Sequence, residues 1–183
     1  MSSILVLSGS PSPLSRTAAL SAHLASRLRD RGHDVGSVAV RELPPAELLA
    51  GDASDPRLAE VVRAIAAADG LIVASPVYKA AYSGLLKTLL DLLPQFALAG
   101  KVVLPILTGG TPAHVLAVDY ALRPVLAALG AGHVVQGRFV LDRHIELVPG
   151  GVRLDPAARE PLYPVVDAFS EALTARRPLA PVR

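Results

Sequence analysis

Five short runs rich in apolar residues divide the chain, at residues 4–7, 35–40, 71–74, 102–107 and 134–140. A run this short that ends in turn residues predicts a buried parallel strand. The second run contains more polar residues than the first, so we expect it to lie nearer an edge of the sheet.

Between these runs the apolar residues recur at helical spacing. The predicted helices cover residues 17–31, 56–68, 85–93, 113–129 and 156–175. The predicted loops cover residues 43–55, 75–84 and 108–112, and the stretch at 141–153 shows no clear pattern beyond a turn at 149–151.

Strands that alternate with helices form a parallel sheet that is covered on both faces. We therefore predict an α/β, flavodoxin-like, doubly wound fold with five parallel strands in the order 2-1-3-4-5 and helices on both faces. The pattern predicts one domain over residues 1–176 and a proline-rich tail at 177–183.

Composition excludes several kinds of chemistry. The 183 residues include no cysteine, which rules out thiol catalysis, Cys-bound zinc and disulfides. The five histidines have neither H-x-H nor H-x-x-x-H spacing, so we predict no metal site. A net charge of +2 and 4% aromatic residues give no basis for nucleic-acid binding.

The apolar content bears on location and assembly. No apolar run reaches the ~18 residues of a membrane span, and the first residues do not form a signal peptide. We therefore expect a cytoplasmic protein without membrane contact. Hydrophobic residues make up 51% of the chain, which favours a subunit interface.

Three predicted loops are rich in Gly, Ser, Thr and Pro, and they follow the first, third and fourth strands. In an open parallel sheet, ligands bind beyond the carboxyl ends of the strands, at the point where the strand order reverses. The predicted order brings these three loops together at that point. Their meeting is the main functional signal of the sequence.

The first loop, residues 8–17, offers hydroxyl groups, a tight turn at Gly9, the cation of Arg16 and the N–H groups of a helix start. It contains neither a G-x-G-x-x-G pattern nor a P-loop. Helix N-termini and arginine both bind anions, so the loop favours a monophosphate site. The alternative is an ordinary turn with a serine N-cap.

The second and third loops carry groups that suit a planar ring. Pro76 fixes the backbone after a buried strand, and Tyr78 either flanks such a ring or packs on the next helix. Gly109 and Gly110 let backbone N–H groups approach a ligand closely, although plain loops also contain such pairs. Lys79 and His114 are each a candidate ligand contact or a solvated surface residue.

No set of catalytic side chains stands out along the chain. There is no G-x-S-x-G elbow and no persuasive Ser-His-Asp order. An enzyme with so few catalytic side chains takes its chemistry from a cofactor.

The three loops and their surroundings resemble the NADPH-dependent FMN reductase family, and within it the reductases of two-component alkanesulfonate monooxygenase systems. The matching stretches are residues 9–11, 15–16, 69–84, 86–94, 100–105, 108–111 and 117–122, together with His114. The likeness is dense from about residue 69 to 129, thinner before it and weak beyond about residue 140.

The resemblance implies that NADPH or NADH reduces FMN by direct hydride transfer, without a catalytic side chain. It implies that the FMN phosphate is held by Ser8, Ser10, Ser15, Arg16 and Thr17. The isoalloxazine ring would be lined by Pro76, Val77 and Tyr78, and on its pyrimidine side by Thr108, Gly109, Gly110 and Thr111. It also implies a homodimer or homotetramer, FMN that is a substrate or is loosely bound, and a partner monooxygenase that receives reduced FMN.

Tyr120 raises a separate hypothesis. Pro124 lies inside the predicted helix at 113–129, where a proline removes a backbone donor and costs about 3 kcal/mol unless the helix adjusts. A π-bulge is one such adjustment, and relatives in the family carry a tyrosine at this place in a π-helix at a subunit interface. Tyr120 then marks a wide turn that gates flavin release, or else it is an interface tyrosine on a kinked helix.

Three other functions remain open. A quinone or azo-dye reductase would hold FMN tightly. A flavodoxin-type electron carrier would have no NAD(P)H site, but such carriers are acidic and flank the flavin with aromatic residues, whereas this chain is mildly basic. A non-catalytic nucleotide-binding subunit would bind FMN without turnover.

Overall fold

The computed structural model describes residues 1–175, and its centre is one seven-stranded sheet. The sheet strands are β1 (Ser3–Ser8), β2 (Asp34–Ala39), β3 (Gly70–Tyr78), β4 (Ala81–Tyr82), β5 (Val102–Gly109), β6 (His133–Val134) and β7 (Arg138–Leu141). The helices are α1 (Arg16–Asp30), α2 (Pro45–Ala50), α3 (Pro56–Ala67), α4 (Gly84–Leu92), α5 (Arg123–Ala128) and α6 (Pro156–Thr174). The predicted tail at 177–183 lies outside the described residues.

The strand order is β2-β1-β3-β5-β6, and β7 pairs with the same edge of β5 further along. All of these pairs are parallel, and only β4 is antiparallel, to β3. The flavodoxin-like fold predicted from the sequence is therefore confirmed. Register places Ser8 beside Ala74 and Pro76 beside Thr108, so the ends of β1, β3 and β5 meet at one edge.

Apolar side chains fill both faces of the sheet because successive strand residues point to opposite sides. From β1, Leu5 and Leu7 join a buried cluster with α3, α4 and α5. Ile4 and Val6 join a second buried cluster with α1 and α6, which includes the fully buried Phe169. The two helical layers hold the loops at the carboxyl edge against a rigid core.

The predicted fifth strand, 134–140, is wrong as one element, because the structure divides it into β6 and β7. The break lies opposite Pro105 of β5, which has no N–H to donate to the neighbouring strand. A Cβ on Gly137 would meet the Pro105 ring at 2.8 Å. The carbonyl groups of Val134 and Val135 accept hydrogen bonds from the Arg123 guanidinium instead, at 3.2 and 3.4 Å.

The long helix predicted at 113–129 is also wrong as one element. The segment contains a 3₁₀ turn at Pro112–His114, a π-helix at Val118–Leu122 and the short helix α5. Pro124 is the second residue of α5, which continues directly from the π-helix with helical backbone angles at Leu122 and Arg123. A π-helical turn beside a proline is one way in which a helix accommodates the missing N–H. The wide turn therefore precedes the proline and includes Tyr120.

The predicted loop at 75–84 is largely a hairpin. β3 continues to Tyr78, and Val77 and Tyr78 pair with Tyr82 and Ala81 of β4. The two turn residues, Lys79 and Ala80, have φ of 51° and 64°. Turns of this kind favour Asn-Gly, so a Lys-Ala pair gave no hairpin signal.

Further elements lie in the unpatterned stretch that begins at residue 141 and in the loop predicted at 43–55. The stretch after β7 contains a 3₁₀ turn, Asp142–His144, and an antiparallel hairpin of β8 (Ile145–Val148) and β9 (Gly151–Leu154). The helix α2 lies in the loop predicted at 43–55. The hairpin brings Ile145 against the start of α1.

Candidate functional site

A cavity of about 370 Å³ opens at the carboxyl edge of the sheet, where the three predicted loops meet. Most of the site residues predicted from the sequence line it: Ser10, Ser15, Arg16, Thr17, Pro76, Val77, Tyr78, Thr108, Gly109 and Gly110. Ser12, Leu14 and Asp142 complete the lining. The topology thus brings together groups from α1, β3, β5 and the turn after β7.

The first loop is held against α4 by close packing. A Cβ on Gly9 would lie 2.6 Å from the Leu86 Cβ, so only glycine fits this approach. The Gly9 N–H donates to the Ala74 carbonyl at 2.8 Å, and the Ser83 hydroxyl donates to the Gly9 carbonyl at 2.5 Å. These contacts fix the loop that leads into α1.

The start of α1 faces the cavity with anion-binding groups. Ser15 is the N-cap, and its Oγ accepts the Ala18 N–H at 2.9 Å. Arg16 is the first helical residue, and its Nε donates to the Ile145 carbonyl at 3.1 Å. This bond uses one guanidinium nitrogen and holds the side chain between α1 and β8. N-terminal N–H groups and a fixed arginine form a favourable place for phosphate.

Two buried threonines join α1 to β5 beneath this place. The hydroxyl oxygens of Thr17 and Thr108 lie 2.6 Å apart, and either can be the donor. Both residues are buried and line the cavity. The bond uses one of the two hydroxyl protons, so the hydroxyl that accepts can still donate to a ligand.

Asp142 is the functional candidate that sequence reasoning missed. Burial raises the pKa of its carboxyl, and the Arg16 charge offsets part of this effect. A carboxyl group with a shifted pKa in a cavity is a candidate functional group. Its place just after the fifth predicted strand, at the same edge as the three loops, was a usable signal.

The second and third loops form the remaining walls. Tyr78 is 52% exposed, so it does not pack into the core beside the next helix. A Cβ on Gly109 would lie 2.9 Å from the ring of Phe139 in β7. This close packing is enough to require a glycine here, with or without a ligand. Gly110 has nothing within 4 Å of its Cβ position, so packing does not require a glycine there.

Five predicted site residues do not line the cavity: Ser8, Lys79, Thr111, His114 and Tyr120. Ser8 is buried at the end of β1, and its hydroxyl has no hydrogen-bond partner among the described residues. Thr111 caps the turn at Pro112–His114 by accepting the Ala113 N–H. Lys79 lies at the exposed hairpin turn, and Tyr120 is 78% exposed on the π-helix.

Residues 1–175 contain no cluster of three or more His, Cys, Asp or Glu side chains that could hold a metal ion. Within the same residues, no helix is both long and apolar enough to cross a membrane.

The sequence model for the family described as NADPH-dependent FMN reductase matches residues 2–146. The chain is 46% identical over 181 residues to an FMN reductase (NADPH) of Pseudomonas putida, covering 97% of this chain and 92% of that one. It is 43% identical over 173 residues to an FMN reductase (NADPH) of Escherichia coli, covering 94% and 91%.

Among solved structures, the apo form of an NADH:FMN oxidoreductase, EMOB, superimposes with a TM-score of 0.88 at 45% identity. The superposition covers 96% of this chain and 92% of that chain. The residues matched by the family model include every residue that lines the cavity, Asp142 among them.

Proposed function

Because the chain belongs to the NADPH-dependent FMN reductase family, we propose that FMN binds and is reduced in the cavity at the carboxyl edge of the sheet. The chain is an oxidoreductase of this family. The observation that carries the placement is the convergence of Arg16, the start of α1 and the loops after β3 and β5 on one cavity.

The groups around the cavity fit the two ends of FMN. We assign the phosphate to Arg16, the N-terminal N–H groups of α1 and the hydroxyls of Ser10, Ser15 and Thr17, since these are strong donors to an anion. We assign the ring to the wall formed by residues 76–78 and 108–110. Ser8 and Thr111 lie outside this assignment because neither lines the cavity.

When bound, FMN supplies the redox chemistry by accepting a hydride from the nicotinamide of NADPH or NADH. The chain itself binds the two reactants, orients them and shields them. Holding them in a reactive geometry lowers the activation barrier of the hydride transfer. The backbone at Gly109 and Gly110 would place donors near the ring, where negative charge develops on reduction. No side chain is assigned a proton-transfer role.

We further propose that FMN is an exchangeable substrate and that its reduced form passes to a separate monooxygenase, with alkanesulfonate desulfonation as the partner reaction. The support is the resemblance of residues 69–129 to reductases of such two-component systems. Relatives are named for NADPH and for NADH, so both nucleotides remain candidates. We place the reaction in the cytoplasm, where reduced nicotinamide nucleotides are made.

A homo-oligomer would cover the apolar side chains around the π-helix. Val115, Leu116 and Tyr120 are exposed there, and an adjoining hollow of about 330 Å³ is lined partly by Leu90, Pro124 and Val125. Large exposed apolar groups that lie together mark interaction surfaces. We propose a dimer or tetramer through this surface, with the turn at Tyr120 controlling flavin release.

The test follows the absorbance of NADPH in air, with purified protein and with or without added FMN. We expect oxidation that saturates with FMN, and a parallel series with NADH sets the nucleotide preference. Oxidation that needs no added FMN, from protein that stays yellow after gel filtration, would favour a quinone or azo-dye reductase. Binding of FMN without oxidation would contradict the proposal.

A further inference from the structure

The cavity proposed for FMN contains a carboxylate on the side of its anion-binding groups. Asp142 begins the turn after β7 and lines the cavity together with Arg16 and Thr108. The phosphate of FMN carries about −1.5 to −2 charges at neutral pH. A carboxylate next to the same arginine therefore opposes phosphate binding, which a site built only for tight binding would avoid.

The two buried threonines line the same cavity as Asp142. Thr17 and Thr108 share one hydroxyl proton across 2.6 Å, so the hydroxyl that accepts keeps its own proton for another acceptor. An ionised carboxylate and an ionised phosphate only accept hydrogen bonds. Asp142 and the phosphate therefore compete for this proton.

Arg16 is held within the field of the same carboxylate. Its Nε donates to the carbonyl of Ile145, which follows the turn that Asp142 begins. Both residues line the cavity, and the Arg16 charge lowers the pKa of the Asp142 carboxyl against the larger effect of burial. A bound phosphate would compete with this carboxylate for the charge of Arg16.

We propose that Asp142 sets the affinity for the phosphate of FMN, by competing with it for Arg16 and for the Thr17–Thr108 hydroxyl pair. The competition weakens FMN binding and lets the product leave. Riboflavin has the same ring and ribityl chain without the phosphate, so Asp142 affects it little. The inference rests on the proposed placement of the FMN phosphate at Arg16.

The test measures the Kd of FMN and of riboflavin by flavin fluorescence for the wild type and for Asp142→Asn. We expect the variant to bind FMN about tenfold more tightly or better, and to change the Kd of riboflavin less than about twofold. Glu146→Gln is the matched control, since it removes one negative charge from the neighbouring hairpin, where Glu146 pairs with Arg153. It should change neither Kd.

The outcomes separate the inference from the placement on which it rests. A gain in affinity for FMN alone cannot result from damage to the fold. If Asp142→Asn weakens the binding of both flavins, or leaves the Kd of FMN unchanged, the inference is wrong. Arg16→Gln tests the placement of the phosphate in the same titration. It should weaken the binding of FMN and leave the binding of riboflavin unchanged. If it leaves the Kd of FMN unchanged, the phosphate lies elsewhere. If the Asn variant does not fold, Asp142→Ser carries the same prediction.

Discussion

The hydroxyl oxygens of Thr17 and Thr108 lie 2.6 Å apart and join the first turn of α1 to the end of β5. The bond crosses 91 residues of sequence and is buried. It therefore couples the proposed phosphate side of the cavity to the proposed ring side. A ligand that takes the shared proton must break this bond.

Thr108→Val should destabilise the protein by about 1–3 kcal/mol, because it leaves the buried Thr17 hydroxyl without its partner. Urea denaturation measures the change. Thr108→Ser keeps the hydroxyl and should lose less stability than the valine variant, although valine is the closer match in shape. Equal stability of Thr108→Val and the wild type would contradict the role of the bond.

Gly9→Ala should destabilise the protein by about 1–3 kcal/mol, because the new Cβ would overlap Leu86. The first loop would move away from α4 and FMN binding would weaken as well. Gly84→Ala is the matched control, since nothing lies near its Cβ position at the start of α4. Thermal denaturation of both variants should show a loss only for Gly9→Ala.

Arg123→Ala should loosen the broken fifth strand by removing the donors to the Val134 and Val135 carbonyls. We expect a loss of about 1–3 kcal/mol and faster hydrogen exchange over residues 133–141. Asp119→Asn removes only the exposed ion pair with Arg123 and should cost about 0.5 kcal/mol or less. Similar rates of hydrogen exchange in Arg123→Ala and Asp119→Asn would contradict the role of Arg123 as the donor to these carbonyls.

Asp142→Asn should raise the melting temperature near neutral pH, and the gain should shrink on acidification. Burial, the largest effect, raises the pKa of Asp142, and the facing charge of Arg16 offsets only part of this. The ionised carboxyl therefore costs stability above that pKa, and protonation removes the cost as the pH falls through it. Thermal denaturation of both proteins across a pH series measures the difference between their melting temperatures. A difference that widens on acidification would contradict a raised pKa for Asp142.

The fold could be predicted because helices cover both faces of the sheet. The apolar runs and the helical spacing of apolar residues both reflect the burial of these side chains between the sheet and the helices. The cavity followed from topology, since the loops after three strands of a doubly wound sheet must meet. The rule placed Arg16 in a phosphate-binding loop without any knowledge of its contacts, whereas the role of Thr108 came from the family resemblance.

The corrected elements depend on contacts that a sequence pattern does not carry. The break in the fifth strand arises where Pro105 meets Gly137, which lie far apart in sequence. The hairpin turn at Lys79 and Ala80 has left-handed backbone angles that its residue types disfavour. Asp142 could not be recognised by type, because a carboxylate is not expected beside a phosphate.

The most direct test of the central claim is whether reduced FMN leaves the protein. Protein, NADPH and a molar excess of FMN are mixed without oxygen, and the solution is then passed through a membrane that retains the protein. We expect reduced FMN in the filtrate in amounts well above the amount of protein. Reduced flavin that stays with the protein, at one equivalent or less, would contradict the account and indicate a tightly held prosthetic group.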